Sequence, residues 1–275
     1  MSKRIPRPAQ EPRQPDLFEE RVPTQGSSER HPPVPEVEGL DDQEIVARIP
    51  SANVGQVQAL CDQVLARGIG DDAVPALEAL WKRFFGFGIN GPLREQRCAL
   101  NTLAKVGTPL SRQALARIID APDLLDALLP LALECATEAS LALSGQSVTC
   151  WLEDSRPSVR ECAFLLARNC TPPVPKHELE KGLLDPEGSI RRACLTTMGQ
   201  FGHERAKPGL LEELERSPTS EIVTALAGII DDDIITRLAR CAMKHGRLRE
   251  QIMEELECCG EPKALNLVER LKGLK

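Results

Sequence analysis

The stretch LLDPEGSIRRACLTTMGQFG, residues 183–202, has a counterpart in LEDSRPSVRECAFLLARN, residues 152–169, displaced by 31 positions. Asp154 corresponds to Asp185, Ser158 to Ser189, Val159 to Ile190 and Arg160 to Arg191. In each copy Asp, Ser, Pro or Gly residues precede apolar positions at helical spacing, the pattern of a turn followed by a helix start. CALNTLAKVG at 98–107 aligns with ACLTTMGQFG at 193–202, an offset of 95, close to three such periods. SPTSEIVTALAG at 217–228 falls into the same phase at an offset of 32. A period of this length with two helices per unit predicts an α-solenoid. One helical hairpin cannot bury its apolar face alone, so neighbours stack and share a core. Small residues at Ala99, Ala163 and Cys194 allow adjacent hairpins to approach closely.

Outward from these copies the same grammar continues. Asp41 or Asp42 caps a short helix that ends before Pro50. Apolar residues at Val54, Val57, Leu60, Cys61, Val64 and Leu65 form a stripe closed by Gly68. Asp71 or Asp72 caps the next helix, which tolerates Pro75 in its first turn. Helix and turn then alternate to the end, with Pro130 inside the Leu-rich run 124–143, and no segment alternates as a strand. The fold class is therefore all-α: an α-solenoid of about six two-helix repeats over residues 41–275. Residues 1–40 hold eight of the 22 prolines and few apolar side chains. Such a segment buries too little surface to offset its ordering entropy, and it is expected to be a disordered tail.

The two best copies resemble the HEAT family, in the short bacterial form also found in phycobilin-lyase-like proteins. That family's pattern is a Leu-Leu-x-Asp turn followed by Val-Arg-x-x-Ala. It stands here as LEDSRPSVRECA and LLDPEGSIRRAC. The copies at 92–107 and 217–228 are degenerate; both lack the Asp, and Val223 replaces the Arg in the second. The resemblance covers about residues 53–272 and implies a fold far more than a function, because one scaffold hosts many tasks.

Composition narrows the function classes. Net charge is −7, which argues against direct nucleic-acid binding, since phosphate contacts call for basic excess. No run of 18 apolar residues occurs, and the N-terminus lacks the apolar segment of a secretory signal, so a cytoplasmic location without membrane contact is the expectation. The ten cysteines form no CxxC pair and sit mostly among Ala and Leu. They read as small buried hydrophobes in a reducing compartment, with Cys258 and Cys259 the likeliest exception. Asp231, Asp232 and Asp233 precede a helix and read as caps rather than cation ligands. The repeated Asp and Arg read as a structural ladder rather than acid–base machinery. The rings of WKRFFGFGING, 81–91, read as a seal over the open end of the array. The basic group Arg237, Arg240, Lys244, Arg247 and Arg249 reads as one helical stripe neutralised by EELE at 254–257.

These readings predict no enzyme and no cofactor or metal. The expected role is a protein–protein scaffold or adaptor that uses its curved face. Its contacts fall on Arg94, Arg97, Arg160, Glu161, Arg191 and Arg192. Two alternatives stay open. The family resemblance implies that a lyase or DNA-repair enzyme could share this scaffold. RQPDLFEE in the tail resembles the bacterial sliding-clamp-binding peptide at Gln14, Asp16, Leu17 and Phe18, with Pro15 departing from it. That resemblance implies a clamp-tethered replication or repair accessory.

Overall fold

The structure is a computed structural model and describes Val37 and residues 39–273. These belong to one unit, Glu36–Lys275. The tail positions Gln14, Asp16, Leu17 and Phe18 lie outside the described residues. Among the described residues there are fifteen α-helices and no strand. They are α1 (Asp42–Arg48), α2 (Val57–Arg67), α3 (Val74–Arg83), α4 (Arg94–Val106), α5 (Pro109–Ile119), α6 (Leu129–Glu138), α7 (Gly145–Trp151) and α8 (Pro157–Leu166). Then follow α9 (Lys176–Lys181), α10 (Gly188–Gln200), α11 (Lys207–Arg216), α12 (Ser220–Ala227), α13 (Asp232–Lys244), α14 (Gly246–Cys259) and α15 (Pro262–Lys272). None is long and apolar enough to cross a membrane.

The even-numbered helices from α2 to α14 form a row in which each packs on the next even helix. The odd-numbered helices lie against their even neighbours in sequence: α3 on α4, α7 on α8, α9 and α11 on α10, and α13 and α15 on α14. This neighbour-to-neighbour packing is compatible with a helical repeat. The core along it is aliphatic. Ala99, Ala163 and Cys194 are fully buried between helices, and Phe164 and Trp81 are the buried rings.

Local chemistry explains the boundaries. Asp41 caps α1, accepting from the Glu44 amide at 2.8 Å. Thr108, Thr219 and Asp231 cap α5, α12 and α13. Gly107 and Gly202, matched by the 95-residue offset, both take the left-handed backbone, at φ 65° and 72°, and end α4 and the turn after α10. Val37 is buried and the Leu40 carbonyl accepts from Arg67 Nη1 at 2.7 Å, so packed structure begins before Asp41.

Three expectations need correction. Val54 is exposed, because Asn53 Oδ1 accepts from the amides of Gly55 and Gln56 and makes a turn there, which delays α2 to Val57. Asp71 and Asp72 do not cap α3; they lie in a 3-10 turn, Gly70–Ala73, that runs into it. Pro75 in the first turn has no N–H, so one fewer donor there needs a cap. The basic group is not one stripe: Arg237, Arg240 and Lys244 stand on α13, while Arg247 and Arg249 stand on α14.

Candidate functional site

The repeated turn is built the same way twice. Asp154 Oδ1 accepts from the Arg156 amide at 2.8 Å, and Asp185 Oδ1 from the Glu187 amide at 2.9 Å. Arg160 Nη1 donates to the carbonyls of Asp154 and Ser155 at 2.8 and 3.3 Å. Arg191 Nη1 donates to those of Asp185 and Pro186 at 2.6 and 2.9 Å. Each Arg therefore locks the turn that precedes its own helix, satisfying carbonyls that no helix reaches.

The turns are also joined to one another. The Arg160 fork grips Asp185 through Nε at 2.8 Å and Nη2 at 3.2 Å, from one copy to the next. Arg156 closes on both oxygens of Asp154, at 2.8 Å each, and reaches back to Asp126 Oδ1 at 2.9 Å. Asp126, Arg156, Asp154, Arg160 and Asp185 thus form a continuous ladder. The guanidinium of Arg156 holds the Asp154 carboxyl below its ordinary range, and that of Arg160 does the same for Asp185. Arg156 is the member of the ladder that the repeat pattern does not reveal; its signal is an Arg two positions after the turn Asp. Among the described residues Arg191 has no such carboxylate, because Ser217 stands one period after Asp185.

In the degenerate copy at 92–107, Gln96 occupies the place of Arg191 and does the same work. Its amide nitrogen donates to the carbonyls of Phe84 and Phe87 at 3.1 and 3.0 Å, and its oxygen accepts from the Leu93 amide at 2.9 Å. Gln96 is almost fully buried. It ties down the loop after α3, and that loop does not form a seal: Phe85 is 48 %, Phe87 60 % and Ile89 75 % exposed. Only Trp81 is buried and Phe84 half-buried. Three large apolar tips face solvent because Gly86 and Gly88 turn the backbone outward at positive φ.

The remaining expected contact residues fall on a second register position. Arg97 on α4, Glu161 on α8 and Arg192 on α10 are equivalent by the repeat period, and Glu134 on α6 matches them by local pattern, RCA, ECA, ECA and RAC in chain order. Arg97 and Glu134 are exposed. Glu161 accepts from Ser189 Oγ at 3.0 Å, and Arg192 pairs with Glu213 at 2.7 Å. Arg94 is exposed one turn before Arg97, at the start of α4. The six residues therefore divide. Arg160 and Arg191 hold turns, whereas Arg94, Arg97, Glu161 and Arg192 lie along a ridge of mixed charge.

The thiols are placed for packing. Seven of the ten are buried, and burial pushes Cys135 and Cys194 up to about 12 and Cys162 and Cys170 up to about 11. Such an environment keeps the thiol protonated, the opposite of what activates a nucleophile. Cys150 and Cys258 are exposed. Asp231 caps α13 through the amides of Asp233 and Ile234, Asp233 pairs with Arg237, and Asp232 pairs with Lys263. Among the described residues no group of three or more His, Cys, Asp or Glu side chains is placed to hold a metal ion. No protein-family model and no curated protein matches the chain.

Proposed function

We propose that residues 41–275 form a HEAT-like α-solenoid of about six two-helix units and serve as a non-catalytic protein-interaction scaffold. The repeat reading is supported by the identical hydrogen bonding of Arg160 to its own turn and of Arg191 to its own turn. The observation that carries the functional reading is the ridge: Arg97, Glu134, Glu161 and Arg192 mark the same position on four successive even helices. A row of charges fixed on successive packed helices offers a partner electrostatic complementarity and hence selectivity. Arg97 supplies its clearest contact, being exposed and without an ion pair among the described residues.

The test inverts the ridge at constant net charge. Arg97→Glu combined with Glu134→Lys should leave the helical circular dichroism unchanged. Affinity capture with the tagged full chain, read by mass spectrometry, should then lose the wild-type partner by at least fivefold. Equal recovery by both proteins would remove the ridge from the interface.

A further inference from the structure

The odd-helix side of the C-terminal pair holds a groove unrelated to the ridge. It lies between α13 and α15 and has a volume of about 660 Å³. Its floor is apolar, formed by Ala239, Met243 and Leu267, and Met243 is 54 % exposed. Its lips are basic, with Arg240 on one helix and Lys263 and Arg270 on the other.

Of these charges Lys263 is spent inside the fold, on Asp232, and the two arginines are not. The nearby acids are engaged by other cations: Asp233 and Glu215 hold Arg237, Asp232 holds Lys263, and Glu269 holds Lys272. EELE does not neutralise Arg240 either, since Glu255 accepts from Thr224 and Glu257 pairs with Lys272. Arg240 and Arg270 are exposed and form no ion pair among the described residues. Two guanidinium groups without an ion pair among the described residues therefore line one apolar trough, one from each helix, in a chain of net charge −7.

We infer that this groove binds an amphipathic acidic helix of a partner protein. An apolar stripe at i, i+3 and i+4 would lie on Met243 and Leu267, and carboxylates flanking it would meet Arg240 and Arg270. The eleven residues of α15 span about 16 Å at 1.5 Å per residue, room for three turns of such a helix. Methionine suits the floor, because its flexible thioether adapts to different apolar side chains. A nucleic acid would leave the apolar floor unsatisfied, and no aromatic ring stands here for a base to stack on. A lipid surface would meet a convex face more readily than a trough. The inference does not depend on the ridge.

A displayed library of random 16-residue peptides, selected on the full chain, tests it. Enriched peptides should carry net negative charge and apolar residues at helical spacing. The best of them, made synthetically, should bind at least tenfold more weakly to Arg240→Glu/Arg270→Glu and to Met243→Asp. Arg97→Glu should bind it as wild type does, which separates this site from the ridge. Replacing the peptide's Glu residues with Lys should abolish binding to wild type and restore it to the double-Glu variant. Failure to enrich any peptide, enrichment of neutral or basic ones, or indifference to the groove substitutions would overturn the inference. So would binding of anionic vesicles through these arginines in place of peptides.

Discussion

At the residue scale, Arg160 is the side chain with the most to lose. Its side chain is 13 % exposed, against 9 % for Asp185. Asp185→Ala strips it of two charge-assisted bonds and should lower stability by about 2 kcal/mol, measured by chemical denaturation. In the folded chain the Arg160 guanidinium holds the Asp185 carboxyl below its ordinary value of 3.8. Its stabilisation is therefore present above that pH and is lost as the pH falls through the lower folded value. Asp185→Asn should flatten the acid limb of the pH–stability curve below about pH 4, and an unaltered limb would show the pair contributes nothing. The thiols act at the other end. Cys135 rises from 9.0 to about 12, so its contribution is full below pH 9.0 and disappears as the pH climbs through about 12. Cys135→Ala should reduce the alkaline slope in that window. Ser217→Asp would offer Arg191 the carboxylate it lacks, and an exposed pair of this kind should add no more than about 1 kcal/mol.

At the scale of elements, buried polar anchors and close backbone approaches decide which helices keep their places. Gln96→Ala leaves the Phe87 carbonyl and the Leu93 amide without the partner Gln96 supplies, while the Phe84 carbonyl keeps the Phe87 amide. It should cost about 1–3 kcal/mol and speed amide exchange through residues 84–93. Gly199 meets Gly228 where α10 passes α12, and a Cβ on Gly199 would stand 2.6 Å from the Ala225 carbonyl oxygen. Gly199→Ala should therefore destabilise by about 1–3 kcal/mol through overpacking, with a thermal melt as the readout. The caps Asp41 and Asp231, the closing Gly68, Gly107 and Gly202, and the helical phase of the repeats could all be read from the sequence, because each is set within a few residues. The inter-copy grip of Arg160 on Asp185 could be read only as an alternative, since own-turn and next-turn partners have the same spacing logic. Gln96 was hidden because an amide imitates the guanidinium with a different residue type. The exposure of Phe85 and Phe87 was hidden too, because aromatic composition carries no information about which way a glycine-rich loop points. Val54 was misplaced by a side-chain turn, at Asn53, that competes with the helix start.

At the scale of the whole helical unit, contacts run from each helix to its near neighbours; on the repeat reading, stability is then distributed along the row instead of residing in a single knot. Native-state hydrogen exchange should show the strongest protection in α8 and α10, each held by even neighbours on both sides, and weaker protection in α1 and α15. Uniform protection would indicate one all-or-none unit. The twin turns at Asp154 and Asp185 carry a consequence for architecture. Each is stitched by its own arginine to its own carbonyls, so one can stand in for the other. Splicing Asp154 directly to Pro186 deletes 31 residues yet rebuilds a complete turn, with Asp154 now beneath Arg191. On the repeat reading, such a shortened chain should remain helical, monodisperse and cooperative in its melt. The length of this protein would then be an adjustable quantity, set by how many interchangeable segments the gene happens to encode.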